Sequence, residues 1–214
     1  MTLEFVTSNL RNTILGKRPL VMPQDDQIRW DRQHAQSDGM EAPSSFLRQI
    51  LESDSWEIAP GRALDVACGK GRNALYLASR GFELTAIDIS AVALEKGRKQ
   101  AEERSLSIDW QQADLEQLQF PAAGYDLIVN INYLQRSLIP QIKTALKTGG
   151  HVIFETYLVD QQAIGHPKNP EYLLAHNELR DRFRDFRVLC YREGKFRDGG
   201  EPSFRAGILA WKLA

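Results

Sequence analysis

The feature that most constrains the fold is an alternation of strand-like and helix-like segments that begins near residue 60. Short turns separate these segments, which is typical of βαβ units and a parallel sheet. Strands are predicted at 63–68, 83–90, 107–114, 125–134 and 150–158. Helices are predicted at 71–80 before Gly81, at 91–104 after Ser90, and at 137–148 before Gly149.

The end of the chain departs from this alternation. Residues 169–186 predict a single helix, with Asn169 as its cap and Pro170 at its first position. Two strand-like runs follow at 187–196 and 203–214, with only a turn-forming linker between them. The sequence therefore predicts a hairpin, and with it a parallel sheet whose last strand is antiparallel.

Size and charge narrow the classes of function. A chain of 214 residues suits one α/β domain with an N-terminal extension. The net charge is −1, so nucleic acid is not an expected partner. Two cysteines make no disulfide framework, four histidines show no metal-ligand spacing, and no apolar run suits a signal peptide or a membrane span. We expect a cytoplasmic monomer or homodimer without a metal or a membrane partner.

The turn after the first strand, with the letters CGKGRN, indicates a backbone that passes close to a ligand. A Walker phosphate loop is excluded because Lys70 is followed by glycine and arginine, with no hydroxyl to bind magnesium. A dinucleotide site stays open, because Gly69, Gly71 and Ala74 have its spacing. Asp88 also stands about where that site needs an acid for the ribose.

Two features favour S-adenosylmethionine (SAM) over a dinucleotide. Asp65 lies inside the strand just before the turn, where it would repel a pyrophosphate. The antiparallel last strand is also foreign to the usual dinucleotide sheet. SAM has no phosphate and carries a sulfonium and an ammonium group, so acidic residues around the turn attract it.

Five motifs in the correct order resemble the class I SAM-dependent methyltransferases over roughly residues 60–214: LDVACGKGRN, AIDIS, ADLEQL, YDLIVN and LKTGG. The resemblance implies an α/β fold of the Rossmann-like type, a three-layer sandwich with a seven-stranded, mostly parallel sheet and an antiparallel last strand. Three further stretches resemble the small-molecule methyltransferases of the TehB-like tellurite-resistance group: WDRQHA, CGKGRNALYLASRGFELTAIDIS, and ETY followed by NPEYLL.

The resemblance implies a set of cofactor-binding residues, with Asp65 at the methionine end, Asp88 on the ribose and Asp114 on the adenine amine. The full set is Asp65, Ala67, Gly69, Gly71, Asn73, Asp88, Ile89, Asp114, Leu115, Asn130 and Trp30. Ala67 stands where many family members have glycine, and we expect it to keep an extended backbone. Trp30 is expected to belong to an N-terminal lid that excludes water.

The acceptor is expected to enter past the ends of the fourth and fifth strands. Candidate residues lining its pocket are Tyr133, Arg136, Tyr157 and His166. Arg136 is interpreted either as a ligand for an anionic acceptor or as a solvated arginine. No catalytic residue is assigned, because a general base is optional for methyl transfer.

The sequence therefore predicts lid helices over residues 1–58 and a SAM-binding methyltransferase domain over 59–214. This enzyme would transfer a methyl group from SAM to a small-molecule acceptor and release S-adenosylhomocysteine. Two alternatives stay open: an NAD(P)-dependent oxidoreductase, and a SAM-binding module without catalysis.

Overall fold

The computed structural model describes residues 23–37, 39, 41–197 and 200–213. The helices are α1 (Pro23–Gln36), α2 (Ser45–Leu51), α3 (Arg72–Ser79), α4 (Ala91–Glu103), α5 (Ile139–Ala145) and α6 (Glu178–Arg182). The strands are β1 (Arg62–Val66), β2 (Glu83–Asp88), β3 (Ile108–Gln112), β4 (Tyr125–Ile131), β5 (Leu146–Tyr157), β6 (Arg187–Phe196) and β7 (Ser203–Trp211). Short 3₁₀ turns lie at Arg136–Leu138, Val159–Ala163 and Pro170–Tyr172.

The seven strands form one sheet in the order β3-β2-β1-β4-β5-β7-β6. The first five strands of the chain pair in parallel, and β7 pairs antiparallel with both β5 and β6. The predicted fold class, with a seven-stranded, mostly parallel sheet and an antiparallel last strand, is confirmed.

Alternating strand residues pack on opposite faces of the sheet, as the two-residue period of a strand requires. In β4, Ile128 packs into the core with α5 and α6, whereas Leu127 and Val129 pack into the core with α2, α3 and α4. Both faces are thus covered by helices, which explains why the parallel strands β1, β2 and β4 are mostly buried, whereas β3 at the edge of the sheet is largely exposed. The result is the predicted three-layer sandwich.

Local signals locate several helix ends correctly. The Ser90 hydroxyl accepts a hydrogen bond from the Ala93 N–H at 3.1 Å and caps α4. Gly81 has a left-handed backbone with a φ of +89° just after α3. The predicted third helix is shorter than expected: α5 ends at Ala145, because Leu146 already pairs with Tyr125 in the sheet.

The helix predicted at 169–186 is wrong. Asn169 does cap a turn, but the 3₁₀ turn ends at Tyr172 and α6 covers only Glu178–Arg182. Asn177 has a φ of +61°, a left-handed conformation that a continuous helix does not admit. Tertiary contacts of Arg136 with this segment, described below, override the helical pattern.

Helix α2 lies within residues 1–58, where lid helices are predicted. Its apolar side chains Phe46, Leu47 and Ile50 are wholly buried in the core beneath the sheet. The division at residue 58 stays a prediction, and residues 1–22 of the predicted extension lie outside the described residues.

Candidate functional site

The candidate site lies at the carboxyl edge of the parallel strands. Val66, the last residue of β1, is in register with Ile87 of β2 and with Asn130 of β4. The loop after β1, the acid at the end of β2 and the amide at the end of β4 therefore meet at one edge. Ligands of open α/β sheets bind in the crevice outside this edge.

The loop after β1 has a left-handed residue at every second position. The φ angles are +52° at Ala67, +56° at Gly69 and +79° at Gly71. The extended backbone expected for Ala67 is therefore wrong. A left-handed conformation costs an L-residue about 1–2 kcal/mol, so this loop stores strain at its first turn.

Gly71 is required by packing inside the protein as well as by its φ angle. A Cβ atom at Gly71 would overlap the indole ring of Trp110. A Cβ at Gly97 in α4 would also lie too close to that ring, at 2.6 Å from Cη2. Trp110 of β3 is thus wedged between the loop and α4, and it fixes where the loop runs.

Asp65 is a buried carboxyl that the protein only half satisfies. Its side chain is 1% exposed, and Oδ2 has no hydrogen-bond partner among the described residues. Burial raises the pKa of Asp65 to about 7, against the lowering effect of a hydrogen bond from the Ala74 N–H and of nearby Arg72. A buried polar atom without a partner is costly and is rare in folded proteins, so Oδ2 is suited to a donor from a ligand.

Asp88 holds the loop in place. Its Oδ2 accepts from the Gly69 N–H at 2.7 Å, and its Oδ1 accepts from the Ser90 N–H at 2.9 Å. Burial raises the pKa of Asp88, and these two hydrogen bonds oppose that rise. Ile89 is half-buried beside it, and Leu115 lies in the core.

Three further predicted cofactor residues bind the protein itself. The Asp114 carboxylate accepts from the backbone N–H two residues later at 2.9 Å. Asn73 accepts from the Ser44 N–H at 2.9 Å, and Asn130 donates to the Tyr133 carbonyl at 2.7 Å. Each of these contacts shapes the edge of the sheet, and the cofactor roles of these residues stay predictions.

Helix α1 is attached to elements of the candidate site. The Asp31 carboxylate accepts from the Ser90 hydroxyl at 2.6 Å and from the Val92 N–H at 3.2 Å. The ammonium group of Lys70, in the loop, donates to the Gly39 carbonyl at 2.7 Å. Sequence reasoning missed these attachments, because nothing local in the N-terminal residues indicates where they dock.

Trp30 is half-buried on α1. Its ring stacks on that of His34 with centroids 6.0 Å apart, and the Arg29 guanidinium lies 5.4 Å from its centroid. The predicted contact between Trp30 and the cofactor stays a prediction.

Among the acceptor candidates, Tyr133 lies in acidic surroundings. Burial raises the pKa of Tyr133, and the carboxylates of Glu116, Asp114 and Asp88 raise it further. Its hydroxyl donates to Gln135 at 2.6 Å. The phenol therefore stays protonated at neutral pH and lies within the field of the predicted cofactor acids.

Arg136 is engaged within the protein. It binds the Glu178 carboxylate through two nitrogens at 2.7 and 2.8 Å, and it donates to the carbonyls of Glu171 and Leu173. The pKa of Glu178 is lowered to about 2, chiefly by this hydrogen bonding. The contacts favour a structural role over either role considered from the sequence.

Tyr157 and His166 differ in their surroundings. The Arg205 guanidinium stacks on the Tyr157 ring at 4.1 Å, and it donates to the Asn132 side chain at 2.6 Å. Asn132 and Tyr157 follow or end β4 and β5, so these groups line the same part of the edge. The His166 side chain is exposed on the segment after β5.

Sequence reasoning missed Glu155, a buried acid near the end of β5. It is 2% exposed, lies 2.6 Å from Arg192 and accepts from the Ser44 hydroxyl at 3.3 Å. The signal was present, because an acid within the apolar run VIFETY needs a buried partner. Its partner lies 37 residues away, on β6.

Within the described ranges, no group of three or more His, Cys, Asp or Glu side chains could hold a metal ion. No helix of the described part is long and apolar enough to cross a membrane.

Comparison with known proteins shows that the chain is similar to methyltransferases. Residues 63–150 match a family model described as a methyltransferase domain. The chain is 27% identical over 135 residues to the ubiquinone biosynthesis O-methyltransferase of Acinetobacter baumannii (strain AYE), covering 60% of this chain and 57% of that protein. The resemblance to the class I SAM-dependent methyltransferases is thus confirmed.

Within that class, the chain resembles TehB of Haemophilus influenzae, which is named a probable SAM-dependent methyltransferase. The identity is 28% over 142 residues, covering 64% of this chain and 49% of that protein. The TehB crystal structure superposes with a TM-score of 0.63 and 23% identity, covering 79% of this chain and 66% of that one. The chain spans about half the length of these curated relatives.

The same fold also serves other chemistry. The [4+2]-cyclase SpnF superposes with a TM-score of 0.68 at 17% identity, covering 90% of this chain and 97% of that one. At this identity the likeness is one of fold alone, so the activity has to be argued from the site.

Proposed function

We propose that this protein transfers a methyl group from SAM to a small-molecule acceptor. The observation that carries the proposal is the buried, unpartnered Oδ2 of Asp65 beside the left-handed loop. An ammonium group of the cofactor would supply the missing donor. Asp88, at the end of the next strand, would accept from the ribose hydroxyls with the lone pairs that Gly69 and Ser90 leave open.

The acids at the edge suit a cationic cofactor. Asp65, Asp88 and Asp114 lie at the ends of β1, β2 and β3. A pyrophosphate would need cations or free N–H groups, and the loop cations Lys70 and Arg72 are bound to the Gly39 carbonyl and to Glu41. The strand order further supports this choice. The usual dinucleotide fold has the order 3-2-1-4-5-6 in parallel, and it has no antiparallel strand inserted next to β5.

The bound cofactor supplies a methyl carbon that its positive sulfur already activates. The chain contributes position and electrostatics, because an in-line displacement requires the acceptor atom close behind that carbon. The acceptor would bind beside the ends of β4 and β5, near Asn132, Tyr157 and Arg205. Asp65 and Asp88 would hold the cofactor, which would supply the methyl group to a lone pair of the acceptor and leave as S-adenosylhomocysteine.

The first test is calorimetric titration with S-adenosylhomocysteine and, separately, with NAD. We expect micromolar binding of S-adenosylhomocysteine and none of NAD. Asp88→Ala should weaken S-adenosylhomocysteine binding at least tenfold, because the ribose loses a charged acceptor worth about 1.5–3 kcal/mol. Asp109→Ala, which removes an exposed acid from β3, is the matched control and should bind like the wild type.

Turnover separates an enzyme from a binding module. Release of S-adenosylhomocysteine from SAM would be measured with panels of small phenols, thiols and amines. Release that depends on one acceptor class supports the proposal. NAD binding without S-adenosylhomocysteine binding would overturn it in favour of an oxidoreductase, and binding without turnover on any panel would favour the module.

A further inference from the structure

His34, on α1, faces the same part of the edge as the cofactor loop. Its ring atom Cε1 lies 3.5 Å from the point that a Cβ at Gly69 would occupy, and Nε2 lies 3.9 Å from it. The Gly69 N–H binds Asp88, the predicted ribose acid, at 2.7 Å. The imidazole, the loop backbone and this carboxylate therefore meet at one place.

The backbone around His34 is firmly held. The His34 carbonyl accepts from the Lys96 ammonium group at 2.8 Å, and Trp30 stacks on the imidazole. Neither ring nitrogen has a hydrogen bond to another described residue. The protein thus orients the ring without using its donor or its acceptor.

Burial keeps the His34 ring neutral. It lowers the pKa of His34, an effect that Asp88 and Asp31 oppose and that Lys70 and Lys96 reinforce. A neutral imidazole presents one N–H donor and one nitrogen acceptor. The two vicinal hydroxyls of a ribose can pair with both groups, whereas a protonated imidazole would repel the sulfonium of the cofactor.

We propose that His34 binds the nucleoside part of SAM, closing the pocket over the ribose from the N-terminal helix. The inference rests on the proposed function and extends it to a residue outside the methyltransferase domain as predicted from sequence. Gly69 matters here, because a side chain at this position would occupy the space between the loop and the imidazole.

The test compares two ligands that share the nucleoside. S-adenosylhomocysteine has the amino-acid end, and 5′-methylthioadenosine lacks it. His34→Ala should lower the affinity for both ligands by about five- to tenfold, which corresponds to the loss of one hydrogen bond worth about 1 kcal/mol or slightly more. Gln33→Ala, on an exposed neighbouring position of α1, is the matched control and should leave both affinities unchanged.

Asp65→Asn should give a different pattern. It should weaken the binding of S-adenosylhomocysteine and leave the binding of 5′-methylthioadenosine unchanged.

Hydrogen exchange of residues 23–37 in the unliganded His34→Ala variant shows whether α1 still docks. Lost affinity with α1 still protected supports a contact with the ligand. The inference is overturned if both affinities stay at the control values, if only S-adenosylhomocysteine weakens, or if protection of α1 is lost together with affinity. Wild-type protein that binds neither ligand contradicts the proposed function itself.

Discussion

The protonation state of Asp65 that favours folding is the opposite of the state that would favour ligand binding. Its carboxyl is protonated more in the folded than in the unfolded chain, because burial raises its pKa to about 7 from an ordinary value of 3.8. Its contribution to stability therefore falls as the pH rises from about 4 to about 7. The proposed contact with the ammonium group of the cofactor would reverse this preference, because a cation favours the ionised carboxylate.

Asp65→Asn should therefore stabilise the unliganded protein at pH 8 by about 1–3 kcal/mol, the cost of a buried group without its partner. The same change should weaken S-adenosylhomocysteine binding. In the wild type, affinity should fall as the pH drops below about 7, by up to tenfold per pH unit, because binding then releases a proton. Urea unfolding and calorimetry between pH 5.5 and 8.5 measure both effects. An equally steep affinity profile in Asp65→Asn would contradict this assignment.

The backbone strain of the loop lies at Ala67, because it is left-handed without being a glycine. Ala67→Gly removes a left-handed cost of about 1–2 kcal/mol and adds unfolded-state entropy of about 0.5–1 kcal/mol. We expect a net gain of about 0.5–1 kcal/mol in the free energy of unfolding, with S-adenosylhomocysteine binding retained. Ala123, exposed with a φ of +49° and remote from the site, is the matched control.

Denaturant unfolding of Ala67→Gly and Ala123→Gly measures the difference. Both variants should gain stability alike if the backbone alone decides. A loss at residue 67 beside a gain at residue 123 would mean that the Ala67 methyl group is needed where it packs on the core.

At the scale of elements, one ion pair helps to fix the segment between β5 and α6. Arg136 joins the turn after β4 to Glu178 at the start of α6, and it also binds two carbonyls of the intervening segment. These contacts fix the path of the chain through residues 169–186, where the single predicted helix does not form.

Glu178→Gln should lower the free energy of unfolding by about 1–2 kcal/mol, less than a fully buried pair because water partly screens Arg136. The pKa of Glu178 is lowered to about 2, so the wild-type contribution is present above about pH 4.5 and is lost as the pH falls towards 2. Glu95→Gln breaks an exposed pair with Arg98 on α4 and should cost under about 0.5 kcal/mol. Unfolding curves at pH 7 and pH 3 compare the variants, and equal losses for both would refute the argument.

At the scale of the whole molecule, the sequence predicts what is local or periodic. The strand–helix alternation, the hairpin at the end and the cap at Ser90 follow from short-range patterns, and they are confirmed. The acids at strand ends were identifiable, because parallel strands bring their carboxyl ends to one edge.

The features that could not be predicted from the sequence depend on contacts between residues far apart in the chain. The φ angle of Ala67 is imposed by the loop that surrounds it, and no propensity of alanine indicates it. The pairing of Glu155 with Arg192 spans 37 residues. The docking of α1 through Asp31 onto the start of α4 spans 59 residues, so neither partner carries a local sign of the other.

The wedge of Trp110 between Gly71 and Gly97 makes these three positions share one fixed volume. Any single enlargement at either glycine forces the indole out, and a smaller residue at 110 leaves an empty space beside the loop. Changes here are therefore epistatic: their effects on stability do not add, because each alters the room left to the others. In the course of evolution these three residues would have to change together, because a substitution tolerated beside one side chain at position 110 would be destabilising beside another.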